Sequence, residues 1–291
     1  MVSYSEHSIA SGSSKIVLSL WEPQKPEAAI VFIPATMLHS LCYEPLLRGF
    51  AERGYAVVGL HPIGHGKSPR VAMRYSLKDF IQNARDAVSF ALNKFQLPVL
   101  AMGTSQGGIV AAGLAAEDDR LTAVFSNTIM LSELPDTILI TRLPAPLRYI
   151  YNVWTQTLRF AAFLLPDLTV PINSYLDLTR LNMNDEYFRM IYNDPLCLKR
   201  YPLCFLSSLL NTRFPGITDG SIRCPVYVMA DEGDMLFVKE YNLKVFELLR
   251  APYKEMILFQ TGGHMLMLTN QDEVCEKLSP KIYEAINRDT A

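Results

Sequence analysis

One short segment carries residues that could act as a nucleophile. Ser105 stands at the centre of Gly103-Thr104-Ser105-Gln106-Gly107, a Gly-x-Ser-x-Gly pattern. A run typical of a buried strand, Leu97 to Met102, precedes it, and a small-residue run typical of a helix, Ile109 to Ala116, follows. A strand, a sharp turn and a helix in this order form a nucleophile elbow, which holds the serine hydroxyl at the tip of the turn. The pattern predicts that Ser105 attacks an acyl carbonyl carbon.

A serine nucleophile needs a base that removes its proton and an acid that orients the base. In enzymes with a nucleophile elbow both groups follow the serine along the chain, with the histidine last. His264 has this position, because it follows the last predicted strand in the loop Gln260-Thr261-Gly262-Gly263-His264. His61 and His65 precede the serine in a segment dense in turn residues, so we expect structural roles for both.

The orienting acid is expected in the loop after the predicted strand Val226 to Ala230. Three carboxylates lie there, namely Asp231, Glu232 and Asp234. Asp231 ends the strand, where it can accept hydrogen bonds from the amides of the turn. Asp234 lies past the turn and is better placed to reach the histidine loop. We therefore favour Asp234 as the acid.

Strands and helices that could position these groups alternate along the chain. Continuous apolar runs of five or six residues are typical of strands buried on both faces, and amphipathic helical segments separate them. Their alternation predicts an α/β fold with a mostly parallel, doubly wound sheet. The predicted strands are Lys15 to Trp21, Ala28 to Ile33, Tyr55 to Leu60, Leu97 to Met102, Leu121 to Ser126, Val226 to Ala230 and Glu255 to Phe259.

One segment interrupts this alternation. Leu131 to Ile222 has no clear run of the buried-strand type and is rich in aromatic residues and prolines, most of which we expect to form a core of its own. We expect a helical cap, residues 131–222, inserted into a core domain of residues 1–130 and 223–291. Open α/β sheets bind ligands outside the carboxyl ends of their strands, so the cap is expected to cover the site.

The composition excludes several partners. The chain has 291 residues, is 49% hydrophobic and carries a formal net charge of −2, which leaves no basic surface for nucleic acid. Residues 1–15 lack the regions of a signal peptide, and the longest apolar stretch, Val99 to Ala116, is interrupted by polar residues and glycines, so no membrane segment is expected. Five cysteines without metal-ligand spacing predict free thiols in a reducing cytoplasm and no bound metal.

Taken together, these features resemble a known family. The chain is similar to serine hydrolases of the α/β-hydrolase superfamily, and most similar to the lysophospholipase and monoacylglycerol-lipase-like branch with a helical cap. The resemblance covers nearly the whole sequence, and it implies the α/β-hydrolase fold and no metal or organic cofactor. The matching segments are Tyr43 to Gly54, Tyr55 to Ser68 with its Gly64-x-Gly66-x-Ser68 turn, Gly103 to Gly107, Asp194-Pro195-Leu196, Ile222 to Asp234 and Gly262 to His264.

Three positions depart from the pattern of that family. His61 stands in place of an acidic residue, and Asp231 in place of a glycine. Pro34-Ala35 replaces a His-Gly pair in the loop that supplies an oxyanion donor, and Pro34 has no N–H group.

The oxyanion hole is expected to consist of two backbone N–H groups. By position, the N–H of Thr36 is the first donor, with the N–H of Met37 as the alternative. The second donor is expected to be the N–H of Gln106, the residue after the nucleophile. Because Pro34-Ala35 is stiffer than His-Gly, the loop is expected either to be preorganised or to be held away from the substrate.

The expected function is hydrolysis of a carboxylic ester through an acyl-enzyme, with Ser105, His264 and Asp234 as the triad. The resemblance and the apolar cap suit a monoacylglycerol, a lysophospholipid or a similar small-molecule acyl ester. Met37, Trp154 and Met235 are the predicted substrate contacts. The alternatives are an amide or peptide hydrolase, an acyltransferase, and a catalytically silent hydrolase fold that binds a ligand.

Overall fold

The computed structural model describes residues 1–70 and 74–288, so residues 71–73 and 289–291 of the predicted core domain lie outside the described residues. Ten strands are found in this part of the chain. They are β1 Val2–Ser11, β2 Ser14–Pro23, β3 Ala28–Ile33, β4 Tyr55–His61, β5 Val99–Thr104, β6 Ala123–Asn127, β7 Thr169–Pro171, β8 Arg200–Pro202, β9 Val226–Asp231 and β10 Lys254–Phe259.

Eight of these strands form one sheet in the order β1-β2-β4-β3-β5-β6-β9-β10. The pairs from β4 to β10 are parallel, whereas β2 is antiparallel to both β1 and β4. Every residue of β3, β4, β5, β6 and β9 is buried, as the continuous apolar runs of these strands predict. The prediction of a mostly parallel sheet is confirmed.

Ten helices accompany the strands in the described residues. α1 packs on α10 and α2 on α3, and these pairs cover the sheet. Among the described residues, no helix is both long enough and apolar enough to cross a bilayer. The helices are α1 Glu44–Glu52, α2 Leu77–Phe95, α3 Gln106–Ala115, α4 Tyr151–Leu164, α5 Asp185–Asn193, α6 Leu203–Asn211, α7 Gly216–Asp219, α8 Lys239–Leu248, α9 Leu266–Thr269 and α10 Gln271–Ile286.

The segment between β6 and β9 contains α4 to α7, several 3₁₀ turns and the small antiparallel pair β7–β8. Its side chains face Ser105 across a cavity, which places it over the carboxyl ends of the parallel strands. Most of its regular structure is helical. The β7–β8 pair is not predicted from the sequence, because three-residue strands are too short to show an alternation of apolar and polar residues.

The first strand, β1, also differs from the sequence interpretation. It forms a ten-residue ladder with β2 through a turn at Gly12, whose φ of +55° suits glycine. Most of its residues are exposed or half-buried, because β1 lies at the edge of the sheet. A polar edge strand lacks the apolar run that identified the others.

Candidate active site

Ser105 lies between β5 and α3 in the strained conformation of a nucleophile elbow. Its φ of +53° and ψ of −118° lie outside the regions that side-chain-bearing residues normally occupy. The flanking glycines permit the tight crossing of strand and helix. A Cβ on Gly103 would lie 2.0 Å from the carbonyl oxygen of Gly107, and a Cβ on Gly107 would lie 2.1 Å from that of Ile33. The two glycines of the motif are therefore required by packing.

Asp234 and His264 form a buried pair in the loops after β9 and β10. The distance from Asp234 Oδ2 to His264 Nδ1 is 2.8 Å. The other carboxylate oxygen, Oδ1, accepts the backbone N–H groups of Leu236 and Phe237 at 2.7 and 2.9 Å. Phe237 also stacks on the imidazole, with ring centroids 5.3 Å apart. These contacts fix the orientation of both the acid and the ring.

Asp231 ties the acid loop to the histidine loop. Its Oδ1 accepts the N–H groups of Gly233 and Gly262, at 2.8 and 3.0 Å. Its Oδ2 accepts the N–H and the hydroxyl of Thr261, at 2.6 and 2.7 Å. The expectation that Asp231 satisfies turn amides agrees with these bonds, which also reach across to the loop of His264.

Ser105 and His264 line the same cavity. The free ring nitrogen of His264, Nε2, is buried and has no hydrogen-bond partner among the described residues. A hydrogen bond from Ser105 to this nitrogen is therefore not formed in the described structure. Such bonds often tighten only when the substrate is bound. The nitrogen that a general base would use is thus available at the cavity.

The two N–H groups predicted to hold an oxyanion lie on neighbouring segments. Thr36 and Gln106 both line the cavity, and the Thr36 hydroxyl donates to Gln106 Oε1 at 3.1 Å. The N–H of Gln106 is the first of α3, ahead of the helix's own hydrogen-bond ladder. Within the described residues, neither backbone N–H donates to another protein group. Both are therefore available to a substrate oxygen.

Met37 is not available as the alternative donor. Its N–H donates to the hydroxyl of Tyr201 at 2.7 Å. Met37, rather than Ala35, also takes the left-handed conformation in this loop, with a φ of +63°. The Pro34-Ala35 pair therefore does not need the conformational freedom of glycine, because the strained turn falls two residues later.

Tyr201 is in turn held by His65, so a chain of hydrogen bonds supports the loop. Burial lowers the pKa of His65 to about 4, so the ring is neutral at pH 7. Its Nδ1 donates to the carbonyl of Ile63 at 2.9 Å, and its Nε2 accepts the Tyr201 hydroxyl at 2.8 Å. The Tyr201 oxygen then accepts the N–H of Met37. Sequence reasoning missed Tyr201, because 164 residues separate it from Met37.

His61 also lies outside the cavity and bonds within the core. Burial lowers its pKa to about 3. Its Nε2 lies 3.0 Å from Ser19 Oγ, and its Nδ1 accepts the N–H of Lys67 at 3.2 Å. These bonds agree with the structural role expected for His61.

The cavity itself has a volume of about 210 Å³. Its wall is almost entirely apolar, and the polar lining residues are Thr36, Ser105, Gln106, Thr141, Tyr175 and His264. Of the three predicted substrate contacts, Met37 and Trp154 line the cavity. Met235 does not: its side chain is 47% exposed, and Leu236 and Phe237 occupy the wall instead.

Known proteins resemble this chain throughout the region that carries the site. Residues 24–271 match the Hydrolase_4 family, described as serine aminopeptidase, S33. The chain is 25% identical to phospholipase YtpA of Bacillus subtilis (strain 168) over 233 residues, which span 78% of this chain and 83% of the relative.

Solved structures share the fold. The monoacylglycerol lipase of Paleococcus ferrophilus has a TM-score of 0.71 at 19% identity, covering 90% of this chain and 98% of that chain. A soluble variant of monoglyceride lipase from Saccharomyces cerevisiae, in complex with a substrate analog, has a TM-score of 0.74 at 13% identity, covering 94% of each. The predicted resemblance to lipase-like α/β-hydrolases is confirmed. The chain belongs to the Hydrolase_4 family and adopts the α/β-hydrolase fold.

Proposed function

We propose that this protein hydrolyses carboxylic esters of a single acyl chain, such as a monoacylglycerol or a lysophospholipid, with Ser105, His264 and Asp234 as its triad. An ester hydrolase agrees with the family and with the relatives, which include a phospholipase and monoacylglycerol lipases. The observation that carries the triad is the buried Asp234–His264 pair, whose unpartnered Nε2 shares a cavity with an elbow serine.

The reaction would proceed in two halves. Ser105 Oγ attacks the ester carbonyl carbon while His264 Nε2 takes the hydroxyl proton, and Asp234 stabilises the imidazolium. The imidazolium gives this proton to the departing alcohol, which leaves the acyl group on Ser105. Water then attacks the acyl-enzyme, with His264 as base, and its proton returns to Ser105 Oγ as the acid leaves.

The oxyanion of each tetrahedral intermediate would be held by the N–H groups of Thr36 and Gln106. Loss of one such donor typically costs about 10²–10³ in kcat. The Gln106 N–H also begins α3, whose dipole favours negative charge at that end. The loop that carries Thr36 is held in place by the hydrogen bond from the Met37 N–H to the Tyr201 hydroxyl. These contacts support a preorganised loop over one that the substrate must move.

The cavity wall favours an ester over the substrate of an aminopeptidase. A free amino terminus is positively charged at neutral pH, and such a charge is costly to bury without a carboxylate partner. Among the described residues, no aspartate or glutamate lines the cavity. The volume of about 210 Å³ also lies below the roughly 300–1,000 Å³ typical of pockets for drug-sized ligands, which suits one acyl chain.

The outer face of α4 supports a lipid substrate. Trp154 and Leu158 on this helix line the cavity, whereas Phe160 and Phe163 are 64% and 79% exposed. Clustered exposed apolar side chains mark surfaces that contact lipid or protein. A helix that lines the acyl cavity and exposes phenylalanines would let the protein take its substrate from a lipid aggregate.

We also propose a cytoplasmic location. No disulfide joins the cysteines within the described residues. Proteins of reducing compartments keep their thiols in this form.

The triad is tested with a fluorophosphonate probe and with p-nitrophenyl esters of graded chain length. Wild type and the control Ser13→Ala, an exposed serine in the β1–β2 turn, should both be labelled and active. Ser105→Ala should be unlabelled and inactive with an unchanged circular dichroism spectrum. Activity of a folded Ser105→Ala within tenfold of wild type would refute the assignment. An unlabelled wild type would instead indicate a protein that binds its ligand without turnover.

A further inference from the structure

Four potential metal ligands meet in a cluster outside the cavity that Ser105 lines. His39 and Cys42 follow β3, whereas Asp194 and Cys197 follow α5 in the cap segment. One ligand atom from each of the four lies within 4.8 Å of the others. His39 and Cys197 are buried, and Cys42 and Asp194 are half-buried. None of the four takes part in the proposed hydrolysis.

Each ligand pair is built on a tight turn of the same spacing. His39-Ser40-Leu41-Cys42 is closed by the Cys42 N–H donating to the His39 carbonyl at 3.0 Å. Asp194-Pro195-Leu196-Cys197 is closed in the same way, by the Cys197 N–H donating to the Asp194 carbonyl at 3.3 Å. Structural zinc sites commonly take their ligands in pairs separated by two to four residues, about one such turn apart. Two turns therefore present two ligands each.

The distance between the two sulfur atoms fits a shared metal ion. Cys42 Sγ and Cys197 Sγ are 3.8 Å apart. Two thiolates at about 2.3 Å from a tetrahedral zinc ion would be separated by about 3.8 Å. A disulfide would require about 2.05 Å, so the two sulfur atoms are not bonded to each other. The observed separation is that of two ligands on one ion.

The two remaining ligands lie slightly closer together than a metal would hold them. His39 Nε2 and Asp194 Oδ2 are 2.9 Å apart, a hydrogen-bond distance. Nitrogen and oxygen ligands of a tetrahedral zinc ion are about 3.3 Å apart, so an ion would open this pair by a few tenths of an ångström. The other ring nitrogen, His39 Nδ1, is buried without a hydrogen-bond partner among the described residues.

A surface cleft of about 580 Å³ gives access to the cluster. His39, Cys42 and Asp194 all lie in its wall, together with Glu44. An ion could therefore reach the ligands from solvent without unfolding of the cap segment. A buried cluster with an entry path meets a requirement for a metal site in a folded protein.

We propose that His39, Cys42, Asp194 and Cys197 bind one Zn²⁺ ion in tetrahedral geometry. Two thiolates, one imidazole and one carboxylate are ligands suited to this ion, and their number closes its coordination shell. Zinc binds thiolates rather than thiols, so affinity rises with pH. Such a site is structural rather than catalytic, because no position is left for a substrate or water.

The ion would join the core to the cap segment beside the oxyanion loop. The N–H of Leu198, next to Cys197, donates to the carbonyl of Met37 at 2.9 Å. Metal binding would therefore hold one end of the cap against the loop that carries Thr36. The binding itself does not depend on ester hydrolysis, so the two proposals stand or fall separately.

Wild-type protein gives the first test and needs no substitution. The reduced, metal-free chain is titrated with Co²⁺ and then with Zn²⁺ against a chromophoric chelator. We expect one ion per chain, visible bands of tetrahedral Co²⁺ and a near-ultraviolet thiolate-to-cobalt band that Zn²⁺ removes. Absence of binding, or weak bands of octahedral Co²⁺ without thiolate ligation, would overturn the proposal.

Matched alanine variants give the second test. Cys42→Ala and Cys197→Ala should each weaken Zn²⁺ binding on the order of 100-fold or more, since even outer contacts of such sites contribute about 10–100-fold. Cys204→Ala, a control on α6, should bind Zn²⁺ like wild type. Zn²⁺ should raise the Tm of wild type and of the control, but not of the other two. Unchanged affinity in Cys42→Ala and Cys197→Ala would place the ion elsewhere. If Cys42 and Cys197 form a disulfide in air and the reduced protein does not bind Zn²⁺, the proposal is overturned. The two cysteines would then be a redox pair rather than metal ligands.

Discussion

The contrast between Asp234 and Asp231 gives the sharpest test of the active-site assignment. Both residues are buried, Asp231 at the end of β9 with 2% exposed and Asp234 in the following loop with 5% exposed. An Asp→Asn change removes one charge from either. Their contacts differ. Asp234 Oδ2 faces the histidine, whereas both oxygens of Asp231 face donors of two loops. The same substitution should therefore affect catalysis at one position and stability at the other.

In Asp234→Asn the amide oxygen can still accept the N–H groups of Leu236 and Phe237, so the loop keeps its shape. The NH₂ group then faces His264 Nδ1, which must accept. This places the imidazole proton on Nε2, where the base has to be vacant. We expect kcat to fall by about 10⁴, as when a triad imidazole loses its orienting carboxylate, which equals about 5.5 kcal/mol at about 1.36 kcal/mol per tenfold.

In Asp231→Asn an NH₂ group, which donates, replaces one of the two carboxylate oxygens, which accept. This holds for either orientation of the amide. If the NH₂ group replaces Oδ2, it meets the N–H and hydroxyl of Thr261, and two charge-assisted bonds are lost. At about 1.5–3 kcal/mol for each hydrogen bond to a charged group, we expect the free energy of unfolding to fall by about 3–6 kcal/mol. The loss in kcat should be much smaller than for Asp234→Asn.

Both variants are compared by initial rates on p-nitrophenyl butyrate and by urea unfolding. The expected outcome is a loss of kcat without much loss of stability for Asp234→Asn, and the reverse for Asp231→Asn. If Asp231→Asn loses more kcat than Asp234→Asn while both remain folded, the acid of the triad has been misassigned.

Three further predictions address the loop, the cavity and the surface. Tyr201→Phe leaves the Met37 N–H and His65 Nε2 without a partner, so we expect a loss of about 1–3 kcal/mol in unfolding free energy and a lower kcat on esters of every chain length. An unchanged kcat would mean that the bond does not position the loop. Ala35→Gly should leave kcat equal or lower it, because Ala35 does not take a left-handed conformation and added flexibility has an entropic cost; a several-fold rise would show a loop held away from the substrate. Phe163→Glu should reduce hydrolysis of emulsified long-chain esters while p-nitrophenyl acetate hydrolysis stays within twofold, and equal losses on both would argue against a lipid-contacting face.

Much of the fold could be predicted because its strands are buried on both faces. Such strands produce continuous apolar runs, and β3, β4 and β9 are examples in which every residue is buried. The proximity of Ser105, Asp234 and His264 could be predicted from the sequence for a related reason. Parallel strands bring their carboxyl ends to one edge, so the loops after β5, β9 and β10 must lie together.

The parts that escaped prediction depend on contacts between distant segments. Met235 was expected in the cavity, but the amides that bind Asp234 turn the loop so that Leu236 and Phe237 face inward. The cysteine spacing likewise revealed no ligand set, because two of the four ligands are His39 and Asp194. The pairs His39-Cys42 and Asp194-Cys197 are 155 residues apart in the chain. The local sequence pattern does not indicate that these two distant segments are in contact.

The loop in which Pro34-Ala35 replaces the His-Gly pair of the family is held by hydrogen bonds from the cap segment. Tyr201 of β8 accepts the N–H of Met37, and Leu198, just before β8, donates to the carbonyl of the same residue. Both backbone polar groups of Met37 are therefore held by the cap, at the residue that carries the strained φ of +63°. Strain of this kind persists only where the surroundings fix it. The cap segment would thus have two roles, because it lines the cavity of Ser105 and also fixes the loop that would present the Thr36 N–H to the oxyanion.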